Sequence, residues 1–253
     1  MSKTIRKAIS TLLAAALMMS LLCAMPVTAG AAETHTVTDA AGLEAALDAA
    51  ASGDTIRLGA SISYGKTIYI DGKTITFALD GHVLDVSVAE GNALAVRNGG
   101  MLLLSDPLSG EFNLSSTAAG NATVSTSGAG SKAEATSAAY AGPNDSGAVF
   151  AHVGSEVTIY GDATNSGEHE SSYGVFARGG SIAVMGSIMA TGAGCGAIAR
   201  EGGDVTVEGA ITTLDAYGYV RFQGGNARAQ AWYTPPTTKP GYLTYTDGIS
   251  TIW

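Results

Sequence analysis

Apolar and polar residues alternate along most of this chain in runs of about four or five, and glycine pairs separate the runs. One pattern is written twice. Gly174, Val175, Phe176, Ala177 and Arg178 lead to Gly179 and Gly180, then Ile182, Val184, Gly186 and Ile188. Gly196, Ala197, Ile198, Ala199 and Arg200 lead to Gly202 and Gly203, then Val205, Val207, Gly209 and Ile211. Gly180 and Gly203 stand 23 residues apart. Alternation with period two is the signature of a strand. Glycine between short strands marks a tight corner, because it takes positive φ without steric cost. No 3.6-residue period runs through these segments, and their glycines would weaken every helical turn. Short strands, glycine corners and a repeat of 22 to 23 residues predict stacked turns of a parallel β-helix. Stacking the copies predicts ladders with Val175 over Ile198, Ile182 over Val205, and Val184 over Val207.

Weaker copies extend the ladder both ways. Val220 and Phe222 precede a corner at Gly224 and Gly225; Val149, Phe150 and Gly154 precede Val157 and Ile159; Ala93 to Val96 precede Gly99, Gly100, Leu102 and Leu104. One helix is predicted, over 39–51. Asp39 is its N-cap and Gly53 its stop, with Leu43, Ala46, Leu47 and Ala50 on one face. It is expected to cover the exposed apolar strand ends of the first turn. Alternating Ile56 and Leu58, Ile68 and Ile70, and Ile75, Phe77 and Leu79 follow, with turn signals at Asp71-Gly72 and Asp80-Gly81.

The helix, the stretch Gly53 to Leu58 and the alternating run Ile68 to Ile75 together resemble the opening of secreted, pectin-lyase-like right-handed parallel β-helix proteins of the cell-surface or adhesin type. The resemblance covers about 35 to 230. It implies an all-β solenoid with an N-terminal capping helix, on the surface of a bacterium. It says little about activity, since that fold carries lyases, hydrolases, adhesins and structural modules.

Composition divides the chain. Residues 1–32 have the form of a secretory signal peptide: Lys3, Arg6 and Lys7, an apolar stretch from Ala8 to Met25, then small residues. Cleavage would leave Cys195 alone, so no internal disulfide is expected. The β-helix is assigned to 33–230, with 115–146 read as a long flexible loop because Ser, Thr, Ala, Gly and Asn dominate it. Residues 231–253 read as a proline-rich linker followed by a β-hairpin tail.

Charge narrows the partners. Removing Lys3, Arg6 and Lys7 leaves ten Lys and Arg against 22 Asp and Glu, a net charge of −12. Neither nucleic acid nor an anionic membrane surface is an expected partner. Enzymes of the resembled fold that cleave acidic polysaccharides need carboxylates for calcium or acid–base work, with a cation near the cleaved bond. Asp80, His82 and Asp85 form the best local cluster for that role, and Glu168-His169-Glu170 the next. Both read more simply as a turn and a solvated polar loop. No zinc spacing, nucleophile elbow or phosphate loop is present, and no cofactor is expected, with calcium left open. The repeat itself supplies the second constellation. Arg178 and Arg200 hold equivalent positions, and Arg97 and His152 fall near the same corner of earlier turns. Stacked turns would align them as a basic strip for an anionic polysaccharide, or leave them as solvated corners balanced by Glu201 and Asp204. The expected function is a structural, adhesive or glycan-binding surface module. The rivals are a polysaccharide lyase or hydrolase, and an N-terminal piece of a larger adhesin.

Overall fold

The structure, a computed structural model, describes residues 31–192, 194–214, 218–223 and 225–253. The signal-peptide reading falls on 1–32 and so lies almost wholly outside them, as does Gly224 of the last expected corner. The described chain is a parallel β-solenoid of about seven turns with one α-helix, and it fits a right-handed β-helix.

Each turn visits three sheets. Sheet A takes Thr34–Val37, Thr55–Leu58, Thr74–Ala78, Met101–Leu104, Lys132–Ala135, Glu156–Ile159, Ser181–Val184 and Asp204–Val207, then Thr251–Ile252 and Tyr245–Thr246. Sheet B stacks Ile62–Tyr64, Val83–Val88, Glu111–Ser116, Ser137–Tyr140, Ala163–Asn165, Ile188–Ala190 and Ile211–Thr213. Sheet C stacks Ile68–Asp71, Leu94–Arg97, Val124–Ser127, Gly147–Ala151, Tyr173–Arg178, Cys195–Arg200 and Val220–Arg221. Every pairing between turns is parallel, and alternate residues of each strand enter one core that includes Ile56, Ile70, Phe77, Leu84, Leu102 and Val175. Phe77 and Phe112 meet edge to face there, with ring centroids 5.3 Å apart.

Two of the three expected ladders hold: Ile182 pairs with Val205 and Val184 with Val207. The third is corrected by one residue. Val175 pairs with Ala197 and Phe176 with Ile198, so Ala197 enters the core between Val175 and Val220, and Ile198 lies on the outer face. The cause is a one-residue insertion at the corner. Arg178 pairs with Arg200, a step of 22, but Ser181 pairs with Asp204, a step of 23. The added residue is Glu201, held at φ 54°. Register carried back from the glycine pairs is therefore wrong on sheet C.

The stretch 115–146 is also corrected. It forms a complete turn, with strands Val124–Ser127, Lys132–Ala135 and Ser137–Tyr140. Its core positions are Val124, Thr126, Ala133, Ala135, Ala138 and Tyr140, all buried. Small side chains suffice because their neighbours on adjacent turns supply the bulk, and the buried hydroxyls are paired. Thr126 Oγ1 lies 2.8 Å from Ser155 Oγ, which donates to the His152 carbonyl at 2.7 Å. A buried hydroxyl so bonded escapes most of its desolvation cost.

The helix spans Ala40–Ala49, with the Asp39 carboxylate accepting from Gly42 N–H at 2.7 Å as its N-cap. It lies after the first strand of sheet A rather than ahead of it. Its end is at Ala50, before Gly53, and Lys73 Nζ donates to the Leu47 and Ala50 carbonyls at 2.8 and 3.0 Å. A cation there satisfies orphan carbonyls and opposes the helix dipole. Leu43, Ala46 and Ala50 join the core.

Beside the helix, Asp54 ties three segments together. Its carboxylate accepts from Glu33 N–H at 2.8 Å, Ala51 N–H at 2.9 Å and His35 Nε2 at 3.1 Å. These bonds, the Glu33 N–H first, lower its pKa from 3.8 to about 2. A depressed carboxylate stabilises the fold above its unfolded pKa and loses that contribution as pH falls through the folded one. Thermal melts should therefore drop between about pH 4 and pH 2, and Asp54→Asn should flatten that part of the profile.

The tail is part of the coil rather than a decoration beyond a linker. Thr251–Ile252 pairs in parallel with Asp204–Val207, and Tyr245–Thr246 turns back antiparallel to it, so the expected hairpin extends sheet A. Thr234 N–H donates to the Thr244 carbonyl at 2.6 Å, which closes the proline-rich segment into a loop. Arg228 bridges Val220 at the last strand of sheet C.

Candidate functional site

The acidic cluster does not assemble. Asp80 sits in a corner at φ 49° and pairs with Arg57 at 3.2 Å. His82 shapes the same turn through its backbone, donating to the Leu79 carbonyl at 2.9 Å and accepting from Glu111 N–H at 3.0 Å. Asp85 stands on the outer face of sheet B, where Asn113 Nδ2 donates to it at 3.1 Å. Asn113 also donates to Glu111 at 2.9 Å and accepts from Ser137 Oγ at 2.7 Å. These bonds make a polar ladder across turns. No hydrogen bond or ion pair joins Asp80, His82 and Asp85 among the described residues. Glu168, His169 and Glu170 are exposed in a loop, with His169 Nδ1 accepting from Ser171 N–H at 3.2 Å. No group of three or more His, Cys, Asp or Glu among the described residues is placed to hold a metal ion.

The basic constellation does assemble. Parallel pairing sets Asp71 beside Arg97, Arg97 beside Ser127, and Arg178 beside Arg200. Thr126 pairs with Ala151 and Ala151 with Ala177, so His152 falls next in line between Ser127 and Arg178. The column from Arg97 to Arg200 crosses four strand spacings, about 19 Å. It runs along one edge of the outer face of sheet C.

The groups in the column differ in state. Arg178 is spoken for: Nη2 and Nε reach Glu201 Oε1 at 2.8 and 2.9 Å, which lowers the Glu201 pKa and raises that of Arg178. Arg97, Arg200 and Arg221 form no ion pair within the described residues. Arg97 lies over the Tyr69 ring at 5.6 Å and Arg200 over Phe176 at 5.3 Å. Nε of Arg200 is buried without a hydrogen-bond partner. His152 packs tilted against Phe150 with centroids 4.0 Å apart; burial first, then Arg178 and Arg97, push its pKa down. At neutral pH its imidazole is uncharged, so the fixed positive charge of the face comes from arginine.

Sequence reasoning missed the floor of this face. Phe150 and Phe176 stack at 4.8 Å on adjacent turns, Tyr173 meets Phe176 edge-on at 5.4 Å, and Ile198 and Cys195 complete a small apolar cluster outside the main core. In runs such as Val175, Phe176 and Ala177 every residue is apolar, so alternation does not tell inside from outside. Arg221 was missed because it does not hold the repeated position of Arg178 and Arg200; it pairs with Ile198 and continues the row of Phe176. Cys195 is fully buried, donates to the Ala197 carbonyl at 3.4 Å, and has its thiol pKa raised to about 11, chiefly by burial. An un-ionised thiol of this kind is a packing group rather than a nucleophile.

Charge is unevenly spread over the coil. The outer positions of sheet C carry Arg97, Arg178, Arg200 and Arg221 against Asp71, with His152 and Glu201 at the adjoining corners and Glu201 paired to Arg178. Sheet A carries Glu134, Glu156 and Asp204 against Arg57 and Lys132 on its strands, and sheet B carries Asp85 and Glu111. The chain matches no protein-family model, no curated protein and no solved structure.

Proposed function

We propose that this protein is a secreted, pectin-lyase-like β-helix of a bacterial surface, without a catalytic centre, that binds an anionic glycan along the outer face of sheet C. The observation that carries the reading is three arginines, Arg97, Arg200 and Arg221, that lack ion-pair partners among the described residues and stand on the outer face of sheet C of an otherwise acidic molecule. Guanidinium forks match carboxylate and sulfate groups in shape as well as charge. The aromatic floor adds apolar area against which sugar rings can lie. The Phe176 ring beneath the Arg200 guanidinium helps to hold it on that face.

Binding of an immobilised polyuronate or sulfated polysaccharide should weaken as salt is added. A variant carrying Arg97→Gln, Arg200→Gln and Arg221→Gln should bind about 10- to 100-fold more weakly, at about 0.5 to 1 kcal/mol per exposed charge. Its melting temperature should change little, because glutamine keeps most of the side-chain stem. Equal binding by the triple variant, or none by the wild type, would remove the sheet C face from consideration. Shortened or unsaturated products from the polymer would favour the lyase or hydrolase reading instead.

A further inference from the structure

The C-terminal end of the coil contains a feature independent of that face. A cavity of about 380 Å³ lies between the last turn and the tail. A neighbouring lobe of about 430 Å³ shares Ile211, Tyr219 and Gln230 with it. Neither includes Arg97, His152, Arg178 or Arg200. Each volume is near the lower end of the range for small-ligand sites, roughly 300 to 1,000 Å³.

The walls have a definite chemistry. Ile211 is apolar, Tyr219, Tyr242 and Trp253 present ring surface, and Glu208 and Gln230 supply polar groups. The rings are fixed without a ligand. The Tyr242 hydroxyl donates to Glu208. Lys239 Nζ lies 4.0 Å from the Tyr242 centroid, 6.0 Å from that of Trp253 and 4.0 Å from Glu208 Oε1. Trp253 Nε1 donates to Thr238 Oγ1 at 2.9 Å, and Thr238 N–H donates to Thr244 Oγ1 at 3.0 Å. Walls ordered in advance spare a ligand the entropic cost of ordering them.

We propose that this cavity is a second binding site, for one neutral pyranose ring, with the adjoining lobe taking the next unit of a chain. A pyranose has a C–H face that lies against aromatic rings and a rim of hydroxyls that donate to a carboxylate and exchange hydrogen bonds with an amide. Lys239 balances the Glu208 carboxylate, so neither an anionic nor a cationic sugar meets a net opposite charge there. Neutral sugar therefore fits this end as anionic sugar fits sheet C.

Saturation-transfer NMR with the methyl glycosides of glucose, galactose and mannose tests the site, with glucuronate and glucosamine as charged comparators. At least one neutral glycoside should show transfer at millimolar concentration, and both charged sugars should show less. Leu243 is on the cavity lining and partly exposed, so Leu243→Arg should block the cavity without touching the core. That variant should lose the signal at least tenfold while its circular dichroism and melting stay unchanged. Glu208→Gln should weaken the signal too, as a readout that leaves the entrance open. Absence of transfer from every neutral glycoside, a preference for a charged one, or a full signal in Leu243→Arg would each overturn the proposal. The Arg-to-Gln triple variant should keep this site, so the failure of one reading is separable from the other.

Discussion

Ala197→Asp should leave the protein unfolded, whereas Ile198→Asp should still fold with a lowered melting temperature. Ala197 is fully buried between Val175 and Val220, inside the coil and facing only apolar neighbours. A carboxylate there would be unpaired and desolvated, at a cost of about 5 kcal/mol or more, comparable with the whole stability of many domains. Ile198 is nearly as buried but on the other side of the same strand, in the cluster with Tyr173, Cys195 and Phe176. Aspartate at that position loses about 2 to 3 kcal/mol of apolar burial, and it gains a neighbouring arginine at 221. Thermal melts and circular dichroism of the two variants would decide the register. Equal damage, or greater damage at Ile198, would mean that the ladder through 175–178 and 197–200 has been placed one residue out.

The corner between sheets C and A gives the second large effect. A Cβ on Gly203 would stand 2.3 Å from the Ala177 carbonyl oxygen, and one on Gly180 would stand 2.4 Å from that of His152. Both obstacles are backbone of the preceding turn, which is held by its own pairing and has little freedom to retreat. Gly203→Ala or Gly180→Ala should cost about 3 kcal/mol or more, as overpacking against fixed atoms does. Gly202 has φ 79° with open space around a Cβ. Gly202→Ala should cost only the left-handed conformation, about 1 to 2 kcal/mol. Melting temperatures of the three variants should therefore fall in two groups, and a larger loss at Gly202 than at Gly203 would contradict the corner geometry.

The architecture was legible because the last full turns are nearly regular. Arg178 to Arg200 and Ser181 to Asp204 differ by one residue in spacing. Earlier turns were obscured by corner length: Thr74 pairs with Met101 and Met101 with Lys132, steps of 27 and 31 residues. No fixed period finds those turns. The turn at 115–146 was hidden for a second reason. Hydrophobicity patterning registers large apolar side chains, and this turn buries Thr126, Ala133 and Ala138 instead. Part of the basic column was legible because Arg178 and Arg200 are repeated with their neighbours. The aromatic floor was not, since two stacked rings from separate turns leave no local trace. The cavity at the C-terminal end was equally hidden, because Glu208, Tyr219, Gln230, Tyr242 and Trp253 meet only when the tail folds back.

The same return of the tail has a mechanical consequence. Hydrogen bonds between turns point along the axis of the coil, so tension applied between its ends would load one turn at a time. Such a structure peels from whichever end yields first, at low force, rather than rupturing as a block. At the C-terminal end the outermost turn is clasped by Thr251 N–H to the Gly203 carbonyl at 3.1 Å, Trp253 N–H to Val205 at 2.8 Å, and Val207 N–H to Trp253 at 2.9 Å. Those three backbone bonds, with Gly202 N–H to Ser250 Oγ at 3.1 Å and the Tyr242 hydroxyl to Glu208, hold the tail to the last turn and resist that peeling.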